Sequence, residues 1–396
     1  MKVTMSKLVN VDTQEVIARA AEALSQAWGQ TITFDLVQPI SGDPRRNFIA
    51  RAVAVGHSRE GRPVIIKTTR SRHYDPEAED ALQSSGLVRE WVATALVSAR
   101  APNRGHGSAL LAGDVATGTL VFEDLGADLG SLVEPLLEGT AEAAEHALKL
   151  YATALGRLHA DTVGCLEAHY ETYRAIFGAR RRPPPSRRIE EEAAFVASKI
   201  GPAPPASELA ALSSRLNDPG PWLSLVHGDP CPDNSLLYGD QIRLIDYEFA
   251  HPSHALLDGI YWRMGFPTCW CAGRVPADVA ARIDLAYRAE LANCIPLALD
   301  DAVYYAELAW ASAIWLFACL SWRLNEALDG DDEWGTWSIR GRLLWYLQAV
   351  IEMTEAATVL PGLRAVAKLW LLDLQRRWPN ARTLGLYPAF RLNRQK

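Results

Sequence analysis

The chain has 396 residues, of which 49% are hydrophobic and 22% charged, and its formal net charge is −7. That length suffices for two lobes with their own cores, and the acidic balance disfavours a nucleic-acid partner, because phosphate backbones are bound through cationic surface. No charge-free run of about 18 apolar residues predicts a membrane span, residues 1–16 lack the apolar centre of a secretory signal, and Cys165, Cys231, Cys269, Cys271, Cys294 and Cys319 form no spacing framework, so free thiols in a cytoplasmic protein are expected.

An amphipathic helix is predicted from Asp12 to Trp28, with Asp12 or Thr13 as its cap and Gly29 after it. Three apolar runs rich in β-formers follow, Thr31–Val37, Phe48–Val55 and Pro63–Thr68. The first two are joined by the turn Ser41–Asn47, which holds Gly42, Arg45 and Arg46; the last two by Ser58-Arg59-Glu60-Gly61. A helix is expected from Ser85 to Ala99. Lys67 closes an apolar strand, where a cation needs a partner; Glu90 on the following helix is the best placed, with Glu77 and Glu79 as competitors.

The strand-like Thr119–Glu123 then breaks at Asp124-Leu125-Gly126. Helical periodicity returns from Thr140 to Ala160, where His159 reads as a packed structural histidine. Arg180–Arg188 with its three prolines is a stiff, self-repelling connector. A further helix is predicted over Glu208–Leu216, and Pro276–Pro379 is helix-rich, its tryptophans packing helix against helix. Glu326, Asp329, Asp331, Asp332 and Glu333 read as a solvated acidic loop that could also receive a cationic substrate. Cys269-Trp270-Cys271 lacks zinc-knuckle spacing and a histidine pair, so no zinc is expected.

Most chemistry is concentrated between His227 and Glu248. His227-Gly228-Asp229 follows Leu223, Leu225 and Val226; Asn234 lies five residues after Asp229; Ile245-Asp246-Tyr247-Glu248 follows Ile242 and Leu244. Gly239-Asp240 between them is a turn signal. The arrangement predicts a loop bearing Asp229 and Asn234, then a hairpin ending at Asp246, with three oxygen ligands directed at one point. Hard oxygen donors of this type suit Mg²⁺ shared with a substrate phosphate.

This segment resembles the catalytic segment of the protein-kinase-like superfamily, in which an aspartate, an asparagine five residues later and a second aspartate recur. Gly228 stands where protein kinases carry arginine, Glu248 replaces the glycine of their second motif, and nothing like A-P-E follows. His-Gly-Asp with Ile-Asp-x-Glu is similar instead to the small-molecule branch: aminoglycoside phosphotransferases and choline/ethanolamine kinases. The likeness spans residues 31–265, and Val64-Ile65-Ile66-Lys67 resembles the V-A-I-K strand of that fold.

The resemblance implies an α+β, two-lobed protein-kinase-like fold: a small β-rich lobe over residues 1–124 that binds nucleotide and a larger, mostly helical lobe over 125–396 that carries catalysis and substrate. It implies ATP and Mg²⁺ as cofactors. Asp229 would be the catalytic base, Asn234 and Asp246 the metal ligands, and Lys67 the phosphate-binding cation held by Glu90. Gly42 would lie in the phosphate-covering turn, and the main chain of Glu123 and Leu125 would meet adenine. Asp258, in His254-Ala255-Leu256-Leu257-Asp258, would brace the catalytic loop by accepting its backbone N–H groups, or serve simply as a helix cap. The partner is a small-molecule hydroxyl acceptor, with an antibiotic, choline, homoserine and a sugar all open, and oligomeric state undetermined. A metal-dependent hydrolase using His227, Asp229 and Asp246, an inactive nucleotide-binding module and a protein kinase are the competing readings.

Overall fold

Helix α1 (Thr13–Trp28) buries Val16, Ala20 and Leu24, one residue per turn on a single face. Strands β1 (Thr33–Pro39), β2 (Asn47–Val55), β3 (Arg62–Thr69), β4 (Leu110–Asp114) and β5 (Thr119–Glu123) make an antiparallel sheet in the order β1-β2-β3-β5-β4. On β2 every second residue is buried: Phe48, Ala50, Ala52 and Ala54. Three alanines keep that face low, and α1 packs there with Ile32, Val64, Ile66 and Val121. The computed structural model describes residues 13–40, 47–57, 60–69, 74–78, 81, 85–102, 104–178 and 188–391. Gly42, Arg45 and Arg46, the competitor Glu79 and most of the Arg180–Arg188 connector lie outside the described residues.

Helix α2 (Gly86–Arg100) starts at Ser85, whose hydroxyl accepts the Val88 N–H. Leu87, Val88, Trp91 and Val92 pack with Leu120 and Phe122. The chain then forms α3 (Val133–Leu137), α4 (Ala141–Asp161) and α5 (Leu166–Phe177). Tyr173 and Phe177 of α5 join the Trp91 cluster, with the Phe177 ring edge-on to Trp91 at 5.4 Å. Periodicity could not show that α5 belongs with the sheet, because the pairing is tertiary. The chain divides into two compact units, and the first comprises the described residues of Met1–Leu129, Glu167–Pro184 and Arg243–Ala250.

The second unit comprises the described residues of Gly130–Leu166, Pro185–Ile242 and His251–Lys396. It holds α6 (Ile189–Ile200), α7 (Ala206–Asn217), β6 (Leu223–Val226), β7 (Ser235–Tyr238) and the start of β8 (Gln241–Leu244). Next come β9 (His251–His254), α8 (Leu256–Gly259), α9 (Tyr261–Met264), α10 (Ala277–Leu291) and α11 (Asp301–Asp329). The chain ends with β10 (Glu333–Trp334), β11 (Trp337–Ser338), α12 (Ile339–Ala356), α13 (Pro361–Arg377) and α14 (Pro388–Arg391). Helices α4 and α10 pack tightly at Gly156, where a Cβ would lie 2.6 Å from the Tyr287 carbonyl oxygen. β6 pairs with β9, and β7 with β8 across the expected turn, in which Gly239 has φ +58°.

The α+β class read from the sequence is therefore found, as a small sheet-based unit and a larger helical one. Three expectations change. Helix α11 is long and apolar enough to cross a membrane by length and composition, yet 61% of its most apolar window is buried, as in a core helix. The acidic stretch is not one loop: Glu326 and Asp329 end α11, Glu333 begins β10, Glu326 pairs with Arg323 at 2.7 Å, and Asp331 accepts the Arg340 N–H. Cys231 and Cys269 form a disulfide instead of two thiols. They are 38 residues apart with Cα atoms 5.6 Å apart, a proximity created by folding that their spacing does not reveal.

Candidate functional site

In the first unit, β3 delivers Lys67 and α2 delivers Glu90 into the same buried spot. Lys67 Nζ lies 2.6 Å from Glu90 Oε2 and 2.5 Å from Asp246 Oδ1. Glu77 is not the partner in the described structure; its N–H donates to Asp75 Oδ1 at 2.9 Å. The side chains of Lys67 and Glu90 are 6% and 4% exposed, and that of Asp246 is 37% exposed, so the triad opens to solvent only through Asp246.

Burial alone would drive the Lys67 ammonium down, but Glu90 and Asp246 outweigh it and hold the cation above the ordinary lysine range. Burial pushes the Glu90 carboxyl up to about 7, against the pull of Lys67 and with a further push from Asp246.

Asp246 itself sits at φ +65°, a left-handed conformation that a non-glycine residue adopts only under constraint. Just after it, Arg89 of α2 donates to the Glu248 carbonyl oxygen at 2.6 Å, tying down the short turn Tyr247–Phe249. Of the other residues assigned to the nucleotide, Glu123 has both main-chain groups engaged, its N–H with Ala109 O and its C=O with the Ser108 hydroxyl. The Leu125 main chain has no hydrogen bond among the described residues.

In the second unit, β6 ends at Val226 and the chain turns at Gly228 (φ +78°) to present Asp229. Fully buried Asp258 accepts from His227 N at 2.6 Å and from Gly228 N at 3.1 Å, the bracing role expected of it. His159, also fully buried, bridges Asp258 and the Tyr287 hydroxyl, as a packed structural histidine would. Asn234 Nδ2 donates to the Asp229 carbonyl at 3.0 Å, fixing the asparagine five residues on. The phenols of Tyr151 and Tyr261 donate to the Pro230 and Gly228 carbonyls. Burial first, then the nearby Asp258 and Asp229 charges, hold both phenols well above their ordinary range, so they stay donors.

Several contacts were not legible in the sequence. Thr268 donates its hydroxyl to Asp229 Oδ1, and Tyr261 lies 3.2 Å from the same hydroxyl. Thr268 sits just after Gly265 (φ +78°) and Phe266 (φ +58°), a tight reversal that brings 268–270 back to the Asp229 loop. Trp270 Nε1 donates to Asp233 Oδ2 at 2.8 Å. Beneath this segment Arg342, 1% exposed, donates to the carbonyls of Cys269, Trp270, Trp334 and Trp337 and forms no salt bridge among the described residues. Gly265, three residues before Thr268, and Pro267 were the only local hints.

Asp246 keeps an oxygen beyond the one facing Lys67, and Asn234, having committed its Nδ2, has its Oδ1 as the remaining ligand atom. Both are oxygen donors of the kind that Mg²⁺ takes.

A family model described as the phosphotransferase enzyme family matches residues 43–292. No curated protein matches the chain. Among solved structures, a choline/ethanolamine kinase family protein from Mesorhizobium loti is 16% identical and covers 92% of this chain and 99% of its own, with a TM-score of 0.43. A choline kinase from Cryptosporidium parvum Iowa II is 15% identical and covers 86% and 94%, with a TM-score of 0.45. A thermostable mutant of an aminoglycoside phosphotransferase is 11% identical and covers 86% and 99%, with a TM-score of 0.37.

Proposed function

We propose that this chain, which belongs to the phosphotransferase enzyme family, transfers the terminal phosphoryl group of ATP to a hydroxyl of a small molecule. Membership makes it a small-molecule phosphotransferase; the nucleotide, the ion and the acceptor are the finer parts of the reading. Asp229 orients the acceptor hydroxyl and takes its proton. Lys67 offsets charge on the nucleotide phosphates, and Glu90 fixes Lys67. The peptide groups around Gly42 cover the phosphates, and the main chain near Glu123 and Leu125 meets the base, with the unpartnered Leu125 peptide the better suited of the two. Asn234 and Asp246 hold Mg²⁺, which, when bound, neutralises charge across the phosphate oxygens. Because the transition state is loose, these residues act through position and charge rather than covalent chemistry. ATP as donor favours a cytoplasmic location, and an antibiotic acceptor would make the chain a resistance enzyme.

The observation that supports this reading most is the lysine triad. A cation 5% exposed, held between two carboxylates with one of them in a left-handed turn, is a charge fixed where anions can approach. The test is an acceptor panel with ATP and Mg²⁺, covering choline, ethanolamine, homoserine, sugars, hygromycin B and amicoumacin, with ADP and phosphorylated product both quantified. ADP formed only with an acceptor, in step with product, is expected. Phosphate release without any acceptor would instead mean a hydrolase. Stabilisation by ATP with no turnover on the panel would mean a binding module.

A further inference from the structure

The disulfide lies at the chemistry, not away from it. Cys231 is two residues after Asp229, and its Sγ lies 3.1 Å from Asp229 Oδ1. Cys269 follows Thr268, whose hydroxyl donates to that same oxygen and lies 3.4 Å from Cys231 Sγ. The two sulfurs and the carboxylate oxygen all fall within 4.8 Å of one another, and both cysteines are buried.

We propose that reduction of the Cys231–Cys269 bond opens a three-ligand site for a soft divalent cation such as Zn²⁺, formed by the two sulfurs and Asp229, and that its occupation withdraws Asp229 from proton transfer. The second half rests on the catalytic role proposed above for Asp229; the first half does not. In the reductive step two thiol equivalents give up two electrons and two protons and become a disulfide, while the protein S–S bond becomes two S–H groups. Binding of the cation then displaces both thiol protons to water.

The geometry accommodates this with side-chain rotation alone. Two thiolates on a tetrahedral ion, each about 2.3 Å from it, stand about 3.8 Å apart. Cα atoms 5.6 Å apart permit that separation. Asp229 supplies the third ligand, and a water completes the tetrahedron from the side on which Asp229 is half-buried.

Ligand softness separates this site from that of Mg²⁺, since thiolates select zinc-like ions and reject hard ones. While the disulfide is intact the sulfurs have no thiolate to offer, so the site is closed. In a glutathione-buffered cytoplasm a disulfide is seldom permanent, so the pair would report redox state through the metal it then admits.

The test uses the full chain with Co²⁺ as an optical stand-in for Zn²⁺. Four free cysteines are expected in the denatured, unreduced protein and six after reduction and desalting; Cys165, Cys271, Cys294 and Cys319 are the four. Titration of the reduced protein should give a sulfur-to-cobalt charge-transfer band that saturates at one equivalent. The unreduced protein should give none. Cys231→Ser and Cys269→Ser should each abolish the band, and Asp229→Asn should weaken it. Six free thiols before reduction, a band in unreduced protein, its persistence in Cys231→Ser, or its absence once the extra thiols are counted would each overturn the site. Equimolar Zn²⁺ should inhibit phosphotransfer by the reduced protein only. If Asp229→Asn kept full turnover while the cobalt results held, the catalytic assignment would fall and the metal site would stand.

Discussion

The two halves of the candidate machinery are held by opposite means. Around Lys67 the chain uses charge: one cation and two carboxylates, two of the three nearly sealed from water. Around Asp229 it uses tyrosines, a threonine, an asparagine and peptide groups converging on one loop, with the buried carboxylate of Asp258 held by two backbone N–H groups and His159. The difference follows from the tasks proposed. Fixed charge suits a phosphate chain, and a web of hydrogen bonds suits a loop that must hold one carboxylate in position. The charged half is consequently costly to disrupt singly, and the hydrogen-bonded half is costly to disrupt in position.

The comparison is broken most severely at Asp229. Asp229→Asn keeps an oxygen for Thr268 but removes the proposed proton acceptor, so turnover should fall by about 10²–10⁴-fold with little change in unfolding midpoint. Steady-state kinetics beside a thermal melt would show it; turnover within a few-fold of the parent would remove Asp229 from the chemistry.

Lys67→Met should damage stability as well as activity. It leaves Glu90 buried without its cation, a loss of about 3–5 kcal/mol for a broken buried pair. The pH dependence has a definite sign. Glu90 titrates near 7 in the fold, above its ordinary 4.5, so its contribution is fully present below 4.5 and is lost as pH rises through about 7. Without Lys67 that loss continues to higher pH. The deficit relative to the parent should therefore be larger at pH 9 than at pH 6, as read from urea unfolding, and a flat deficit would contradict the coupling.

Thr268→Val sharpens the comparison at a gentler level. A hydrogen bond to a charged group contributes about 1.5–3 kcal/mol, and this one fixes the Asp229 carboxylate. Its removal should lower kcat/KM by about 10–100-fold, as steady-state kinetics would show; an unchanged kcat/KM would remove Thr268 from the site.

The smallest effect is expected at Glu145. Hydrogen bonds from Arg282 lead the causes that hold its carboxyl near 2. Its contribution is present above the ordinary 4.5 and fades as pH falls toward 2. Glu145→Gln should lower the melting temperature slightly at neutral pH, with the difference vanishing in acid; because the pair is at the surface, added salt should also erase it.

What could be read from the sequence was whatever a regular element carries. Lys67 and Glu90 were legible because strand and helix periodicity fix where they project. Asp258 and His159 were legible through the spacing of a known motif. The missing strand β4 had too weak an alternation to stand out, with every residue half-buried. Thr268, Arg342 and the sulfur pair were invisible for a different reason: each meets the Asp229 neighbourhood only after α9 ends in a left-handed reversal, and no local pattern encodes where the returning chain lands. Asp246 shows the intermediate case, since its identity followed from spacing, but its φ of +65° and the Arg89 hydrogen bond to the following turn did not.

Arg342 carries a last implication. Its guanidinium is surrounded by peptide oxygens rather than by an acid. It works as an internal rivet, gathering two stretches of main chain that would otherwise drift apart. A lysine would preserve the electrostatics yet span too few acceptors from its single nitrogen. Shape, not charge, is what this position makes irreplaceable, and the 269–270 segment beside Asp229 inherits its rigidity from it.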